Sequence, residues 1–184
     1  MFRILAGLTA TVLLALAALA LVISHDSPCE PAPPLAEGTP AYAAITQRCY
    51  GSADILQLER IARPTLADDE VLIRVHAASV NPLDKHYLHG TPYLLRLSNG
   101  FNAPKSIRAG ADLAGVIEAV GSGVSRFKPG DEVFGVADGA FAEYVVRRES
   151  GGLALKPATL SFEQAAAMPV AAITALQALR DKAR

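Results

Sequence analysis

The sequence predicts a mainly β domain with short helices, a barrel or sandwich, preceded by one transmembrane helix and a proline-rich linker. Short β-branched segments alternate with turn signals along most of the chain, as is typical of barrels and sandwiches. An uncharged run opens the chain at residues 4–23, and as a helix it would reach about 30 Å, the thickness of a bilayer core. Five prolines within residues 24–40 exclude a helix or a central strand there.

Composition allows a sizeable core and excludes one class of partner. Of the 184 residues, 51% are hydrophobic, and the net charge is −1 with acidic and basic residues interspersed. Binding to nucleic acid would need a basic stripe, which is missing. Cys29 and Cys49 lack the spacing of a structural zinc site. We interpret them as two unrelated free thiols, because a disulfide would require an oxidising compartment.

These patterns divide the chain into four segments. They are residues 1–24, the transmembrane anchor; 25–41, the proline-rich linker; 42–168, the folded domain; and 169–184, the start of a further helix. The segment Ala18-Leu19-Ala20 is also compatible with a signal-peptide cleavage site, which would leave the protein secreted.

Charge at the N-terminus gives the expected orientation. Arg3 precedes the apolar run, and positive charge favours the cytoplasmic side of a membrane. We therefore expect a single-pass membrane protein, held through residues 4–23, whose folded domain lies on the non-cytoplasmic side.

Six segments are predicted to be strands: residues 43–51, 54–62, 70–80, 113–121, 131–137 and 141–148. Pro129-Gly130 suits the central positions of a type II turn, because proline presets φ and glycine accepts a positive φ.

Two helical segments are predicted from their terminal residues. The first is Pro82–His89, because Asn81 is a good N-cap, proline fits the first position and Gly90 follows the end. The second begins after Ser161, is interrupted at Pro169 and continues to the last residue.

The glycine-rich stretch GADLAGVIEAVG, residues 110–121, is predicted to be a strand. A dinucleotide-binding loop needs three closely spaced glycines between a strand and a helix. Here strand-forming residues separate the glycines, and a turn and another strand follow. Glycines at such positions suit bulges and close packing.

Three motifs carry a resemblance to a known family: GADLAGVIEAVGSGVSRFKPGDEVFG at 110–135, GAFAEYV at 139–145, and LALKPATLSFEQAAAMPVAAITALQAL at 153–179. Together they resemble the medium-chain dehydrogenase/reductase superfamily, and more narrowly its zinc-independent, quinone-reductase-like members. The resemblance implies a GroES-like β-barrel catalytic domain in residues 42–168. It also implies a Rossmann domain that binds NADPH or NADH.

The resemblance further implies that the catalytic zinc of related alcohol dehydrogenases is missing. Two of the family's ligand positions fall on Asn81 and Ala111, which do not supply the thiolate and imidazole that zinc prefers. His86 and His89 could share a helix face, but histidines also suit the last turn of a helix, and we predict no metal.

Four residues are the candidate site by resemblance. Asn81 matches an asparagine beside the nicotinamide and substrate, and its amide could donate to a carbonyl oxygen; its alternative role is the N-cap. His86 is a candidate donor or proton relay, and Tyr87 lies one position from the family's tyrosine; both could instead serve packing. Thr174 matches a threonine near the nicotinamide carboxamide, or else bonds back along its helix.

The implied activity is hydride transfer from NADPH or NADH to a quinone or enone, in an enzyme that is quinone-reductase-like or alcohol-dehydrogenase-like. A homodimer is compatible with the resemblance. We find no glycine fingerprint for a Rossmann domain, so we expect that half to follow Arg184 and the truncated chain alone to be inactive. The alternatives are a membrane-tethered, non-catalytic binding module and a nonfunctional remnant.

Overall fold

A computed structural model describes residues 2–183 of the chain, and the side chains of residues 10–22 and 24–183. The strands are β1 (Ala41–Thr46), β2 (Gln57–Ala62), β3 (Glu70–Ser79), β4 (Asp112–Val120), β5 (Glu132–Val136), β6 (Tyr144–Arg148) and β7 (Leu153–Leu155). The α-helices are α1 (Phe2–Ser24), α2 (Pro82–His89), α3 (Arg96–Asn99), α4 (Phe162–Ala166) and α5 (Pro169–Gln177).

The strands form two antiparallel sheets. The larger has the order β6-β3-β4-β5-β7, and the smaller pairs β1 with β2. Isolated bridges from Ala44 to Ala142 and from Thr46 to Arg108 connect the smaller sheet to the segments that flank the larger one. The predicted mainly β fold with short helices is confirmed.

The core follows from the alternation of apolar residues along the strands of the larger sheet. Its fully buried members include Val71, Ile73, Leu113, Ile117, Val133 and Val145. The glycine-rich stretch is β4, as predicted. A Cβ at Gly115 would lie 2.2 Å from the carbonyl oxygen of Arg74, so glycine here permits the close approach of β3 beside a register shift.

The strand predictions differ from the structure mainly at their ends. The segment predicted as 54–62 begins as a 3₁₀ turn, Ala53–Ile55, so β2 starts at Gln57. The three-residue strand β7 was not predicted, because it is too short to show a period and depends on pairing with β5. The predicted turn is confirmed: Asp131 N–H donates to the oxygen of Lys128 at 3.1 Å, and Gly130 has φ 91°.

Helix α2 has the bounds that its terminal residues predicted, and Gly90 ends it in the left-handed conformation. The C-terminal helical segment is more broken than predicted. Helix α4 ends before Met168, α5 starts at Pro169, and a π-helical turn, Ala178–Lys182, follows α5.

The N-terminal run forms α1, as the apolar pattern predicted. None of the helices in residues 2–183 has, over its described residues, both the length and the apolar character needed to cross a bilayer. The side chains described in α1 cover residues 10–22, which as a helix span about 20 Å against about 30 Å for the hydrocarbon core. The predicted transmembrane helix is therefore not supported by the described residues.

The linker is attached to the domain, and the interpretation of two free thiols is wrong. Cys29 and Cys49 form a disulfide across 20 positions of sequence. Ser27 N–H donates to the oxygen of Asn102 at 3.0 Å. The prolines do prevent regular structure in residues 25–40, but the extended segment folds back along the domain, which brings the two cysteines together.

Arg96 organises the loop that follows α2. Its side chain is 1% exposed and lies between the rings of Tyr50 and Tyr93, 4.3 and 4.9 Å from their centroids. Its guanidinium donates to the carbonyl oxygens of Gly90, His89, Phe101 and His25 and pairs with Asp26 at 2.7 Å. One buried arginine thus joins the linker to the loop 90–101.

Candidate functional site

Asn81 connects the start of α2 to β4. Its Oδ1 accepts from Leu83 N–H at 2.8 Å, and its own N–H donates to Asp84 Oδ2 at 2.8 Å. Its Nδ2 donates to Asp112 Oδ2 at 3.1 Å. The predicted N-cap is confirmed, and the capping bond fixes the direction of the amide. Because an amide nitrogen carries two donor hydrogens, the bond to Asp112 uses only one of them.

Asp112 is the residue of this site that sequence reasoning missed. Its side chain is 1% exposed, and both carboxylate oxygens accept from Val170 N–H at 3.2 Å. With Asn81 it joins α2, β4 and α5 at one point. A signal was present in the sequence, since an acidic residue opens an otherwise apolar strand, and buried carboxylates need specific partners.

Burial sets the electrostatics of this junction. Burial raises the pKa of the Asp112 carboxyl, and the nearby charge of Asp84 raises it further, while bonds from Val170 and Asn81 oppose the change. Burial likewise raises the pKa of Asp84, and Asp84 Oδ1 has no hydrogen-bond partner among the described residues. Two desolvated carboxyl groups therefore contact Asn81. Asp84 accepts from its backbone N–H, and Asp112 accepts from its side-chain amide.

A cavity of about 350 Å³ lies beside this junction. Leu83 and Tyr87 of α2 line it, together with Ala111, which directly precedes Asp112. The other lining residues are Gln47, Tyr50, Ser98, Asn99, Pro104, Lys105, Ser106, Arg108, Gly110, Val136, Ala137, Asp138 and Arg147. The wall is more apolar than polar, as is usual for sites that bind small organic molecules.

The four predicted site residues are not all in one place. Tyr87 lines the cavity and is 39% exposed. His86 is exposed, does not line the cavity, and has Nδ1 2.7 Å from the oxygen of Thr91. Thr174 Oγ1 donates to the oxygen of Val170 at 2.7 Å, the helix back-bond that was its alternative role. Asn81 and Thr174 do not line the cavity either. Asn81 connects to Val170 through Asp112, and Thr174 connects to Val170 directly.

The central part of the chain identifies the type of domain. Residues 67–158 match the alcohol dehydrogenase GroES-like domain family. The chain belongs to this family. The predicted membership of the medium-chain dehydrogenase/reductase superfamily, with its quinone-reductase-like members, is confirmed.

Several curated relatives of this GroES-like domain are named as reductases. The chain is 39% identical over 143 residues to 2-methylene-furan-3-one reductase of Solanum lycopersicum, a match that covers 71% of this chain and 34% of the relative. It is 36% identical over 148 residues to the quinone oxidoreductase of Sus scrofa, covering 79% of this chain and 43% of the relative. The matched region is thus less than half of each relative.

Solved structures agree with this assignment. The quinone oxidoreductase of Coxiella burnetii has a TM-score of 0.67 at 34% identity and is matched over 76% of this chain and 44% of its own. The quinone oxidoreductase of Escherichia coli, solved in complex with NADPH, has a TM-score of 0.64 at 28% identity, over 76% of this chain and 40% of its own.

The side chains at this site offer groups suited to a nicotinamide rather than to a metal ion. Within the described part of the chain, no three His, Cys, Asp or Glu side chains are grouped as metal ligands. The remaining amide hydrogen of Asn81 and the lone pairs of Thr174 Oγ1 suit a carboxamide or carbonyl group. The Val170 N–H, near the start of α5, is already bound to Asp112 and is not free for a phosphate.

Proposed function

We propose that this GroES-like domain is the acceptor-binding part of a zinc-independent, NAD(P)H-dependent oxidoreductase that reduces a quinone or an enone. The observation that carries the proposal is the Asn81 amide. Asp112 fixes this amide at 3.1 Å, its Oδ1 accepts from the N–H of Leu83, and Leu83 lines a cavity for a small molecule. The names of the relatives support it, since they include quinone oxidoreductases and an enone-type reductase.

The cofactor supplies the hydride, and the chain's residues stabilise the charge that follows. Hydride addition to a conjugated carbonyl places negative charge on its oxygen, and a preorganised N–H at that position lowers the barrier. Asn81 meets this requirement because two hydrogen bonds already hold its amide. Tyr87 brings a hydroxyl to the cavity wall and would orient the acceptor, while the exposed His86 would exchange protons with solvent.

Thr174 and Asn81 would hold the nicotinamide side of NADPH or NADH. Both are connected to Val170 in the first turn of α5. Further along α5, the side chains of Ile173 and Leu176 are about half exposed. This apolar surface suits a further domain packed against α5. The NADPH of the Escherichia coli relative supports NADPH as the first cofactor to test.

A catalytic zinc is not part of this proposal, because the side chains at the expected ligand positions do not bind zinc well. The positions that carry zinc ligands in related alcohol dehydrogenases hold an amide and a methyl group here, Asn81 and Ala111. Neither is a suitable zinc ligand. Electrophilic activation of the acceptor therefore falls to hydrogen bonds.

The test is NADPH oxidation with naphthoquinone by a chimera in which residues 41–177 replace the matching part of the Escherichia coli quinone oxidoreductase. We expect turnover in the chimera and a drop of about 10²-fold for Asn81→Ser, the scale for loss of one such donor. Serine retains an N-cap. Asn102→Ser, an exposed asparagine outside the cavity, is the matched control. A folded chimera that binds NADPH and does not reduce the quinone would favour a non-catalytic binding module.

We also propose that the domain works on the non-cytoplasmic side of a membrane, anchored through residues 4–23, or is secreted after cleavage near Ala18-Leu19-Ala20. The pairing of Cys29 with Cys49 supports an oxidising compartment. An impermeant maleimide, applied to intact cells after mild reduction, should label the exposed Cys29, while Cys49 is buried. Labelling only after lysis would place the domain in the cytoplasm, and recovery of a soluble, shortened chain would show cleavage.

A further inference from the structure

The cavity beside Asn81 carries an excess of positive charge. Among its described lining residues are three basic side chains, Lys105, Arg108 and Arg147, and a single acidic one, Asp138. Arg108 pairs with Asp138 at 3.4 Å, across side chains that are 29% and 53% exposed. Even with this pair, the described lining residues hold two more positive than negative side chains.

Among these basic residues, Arg147 has a side chain that is partly buried in the sheet. It lies two residues after Val145 on β6, so both side chains share the face that meets the core. Its Nε is buried and has no hydrogen-bond partner among the described residues. A buried donor on a charged group costs free energy when it is left unpaired, and Arg147 is one of the residues that line the cavity.

Two glycines leave room for the arginine side chains. A Cβ at Gly151 would lie 2.5 Å from Arg147 Nε, and a Cβ at Gly139 would lie 2.7 Å from Arg108 Cβ. Gly139 also has φ 90°, a conformation that favours glycine. Glycine at these two positions thus leaves space for the side chains of Arg147 and Arg108.

We propose that the acceptor of this site carries a carboxylate on the same molecule as its conjugated carbonyl, and that Arg147, with Arg108 and Lys105, binds this carboxylate. The inference rests on the function proposed above, because it places the carbonyl at Asn81. A guanidinium is suited to the task, since its planar fork pairs with both oxygens of a carboxylate. The substrate class is then an acidic quinone or enone.

The test compares two probes on the full chain by calorimetry: naphthoquinone and a naphthoquinone carboxylate. We expect the carboxylate to bind at least about tenfold more tightly, as for one charge-assisted hydrogen bond. Arg147→Gln should remove this preference and change the dissociation constant of the neutral quinone by less than about twofold. Arg148→Gln is the matched control, because Arg148 is the next residue on the exposed side of β6.

The outcomes separate this inference from the function on which it rests. Equal binding of both probes to the unmodified chain would overturn the carboxylate site and leave the proposed function standing. Preference for the carboxylate that survives Arg147→Gln would also overturn it. Failure of both probes to bind the unmodified chain would contradict the proposed function itself. If Arg147→Gln does not fold, the difference in affinity between the two probes on the unmodified chain still tests the carboxylate site.

Discussion

Asn81 has a double role at the residue scale. Its Oδ1 caps α2, and its Nδ2 reaches Asp112 on β4. The cap could be predicted from sequence, because a capping residue followed by proline is a local signal. The bond to Asp112 could not, because it joins residues 31 positions apart. Their approach depends on the pairing of β3 with β4, in which Ser79 lies opposite Asp112.

Replacing Asp112 by asparagine tests the electrostatics of this contact. Burial raises the pKa of Asp112 in the folded chain above its unfolded value near 3.9. From about pH 4 up to that raised pKa the native state binds more protons than the unfolded state, so the stability that Asp112 contributes is lost as the pH rises. The free energy of unfolding of Asp112→Asn, relative to the unmodified chain, should therefore increase as the pH rises above about 4, until the raised pKa is passed.

Urea unfolding of both proteins at several pH values measures this difference. Asp54→Asn, an exposed carboxylate on the 3₁₀ turn, should show a smaller dependence on pH. A difference for Asp112→Asn that falls as the pH rises would contradict the description of the site.

Arg96 shows how a single side chain stabilises a loop. Arg96→Lys keeps the charge but loses the planar fork that reaches several carbonyl oxygens and stacks between Tyr50 and Tyr93. We expect the free energy of unfolding to fall by about 3 kcal/mol, the scale for leaving one or two buried polar groups unpaired. Urea denaturation measures this free energy, and Arg60→Lys, at an exposed position, is the control. If Arg96→Lys and Arg60→Lys lower the free energy of unfolding equally, Arg96 does not stabilise the loop.

The linker shows the limit of prediction at the scale of elements. Its prolines predicted the lack of regular structure, and this is confirmed for residues 25–40. They could not predict that the segment returns to the domain, because its attachments to Arg96, Asn102 and Cys49 are all tertiary. In contrast, α2 and the long strands β3 and β4 were predictable, because their signals are local and repeat along the chain.

Removal of the disulfide should loosen this attachment. A cross-link over 20 positions is worth about 3 kcal/mol in the chain-entropy description. We therefore expect Cys49→Ser to lower the free energy of unfolding by about that amount and to make residues 25–40 more accessible to protease. Reduction of the unmodified chain should reproduce both effects. Equal stability of the oxidised and reduced chains would show that the linker is held without the disulfide.

For the whole molecule, the proposed function predicts a metal-free domain of the quinone-reductase type. Because that proposal places Asn81 and Ala111 at the positions of zinc ligands, the purified chain should contain far less than one zinc per molecule after dialysis. Elemental analysis measures this. A chelator should leave the thermal midpoint unchanged, because a domain without a bound metal gains no folding free energy from one. Retention of one zinc per chain would contradict the proposed mechanism.

We propose that the cavity lined by Leu83, Tyr87 and Ala111 receives a conjugated carbonyl compound. The most direct test is an amide-resolved NMR titration of the full chain with naphthoquinone, in which the side-chain amide of Asn81 is followed. The account predicts saturable shifts for that amide and for the backbone N–H groups of Tyr87 and Ala111, with none for residues of β2. Shifts confined to other surfaces, or no saturable binding, would contradict it.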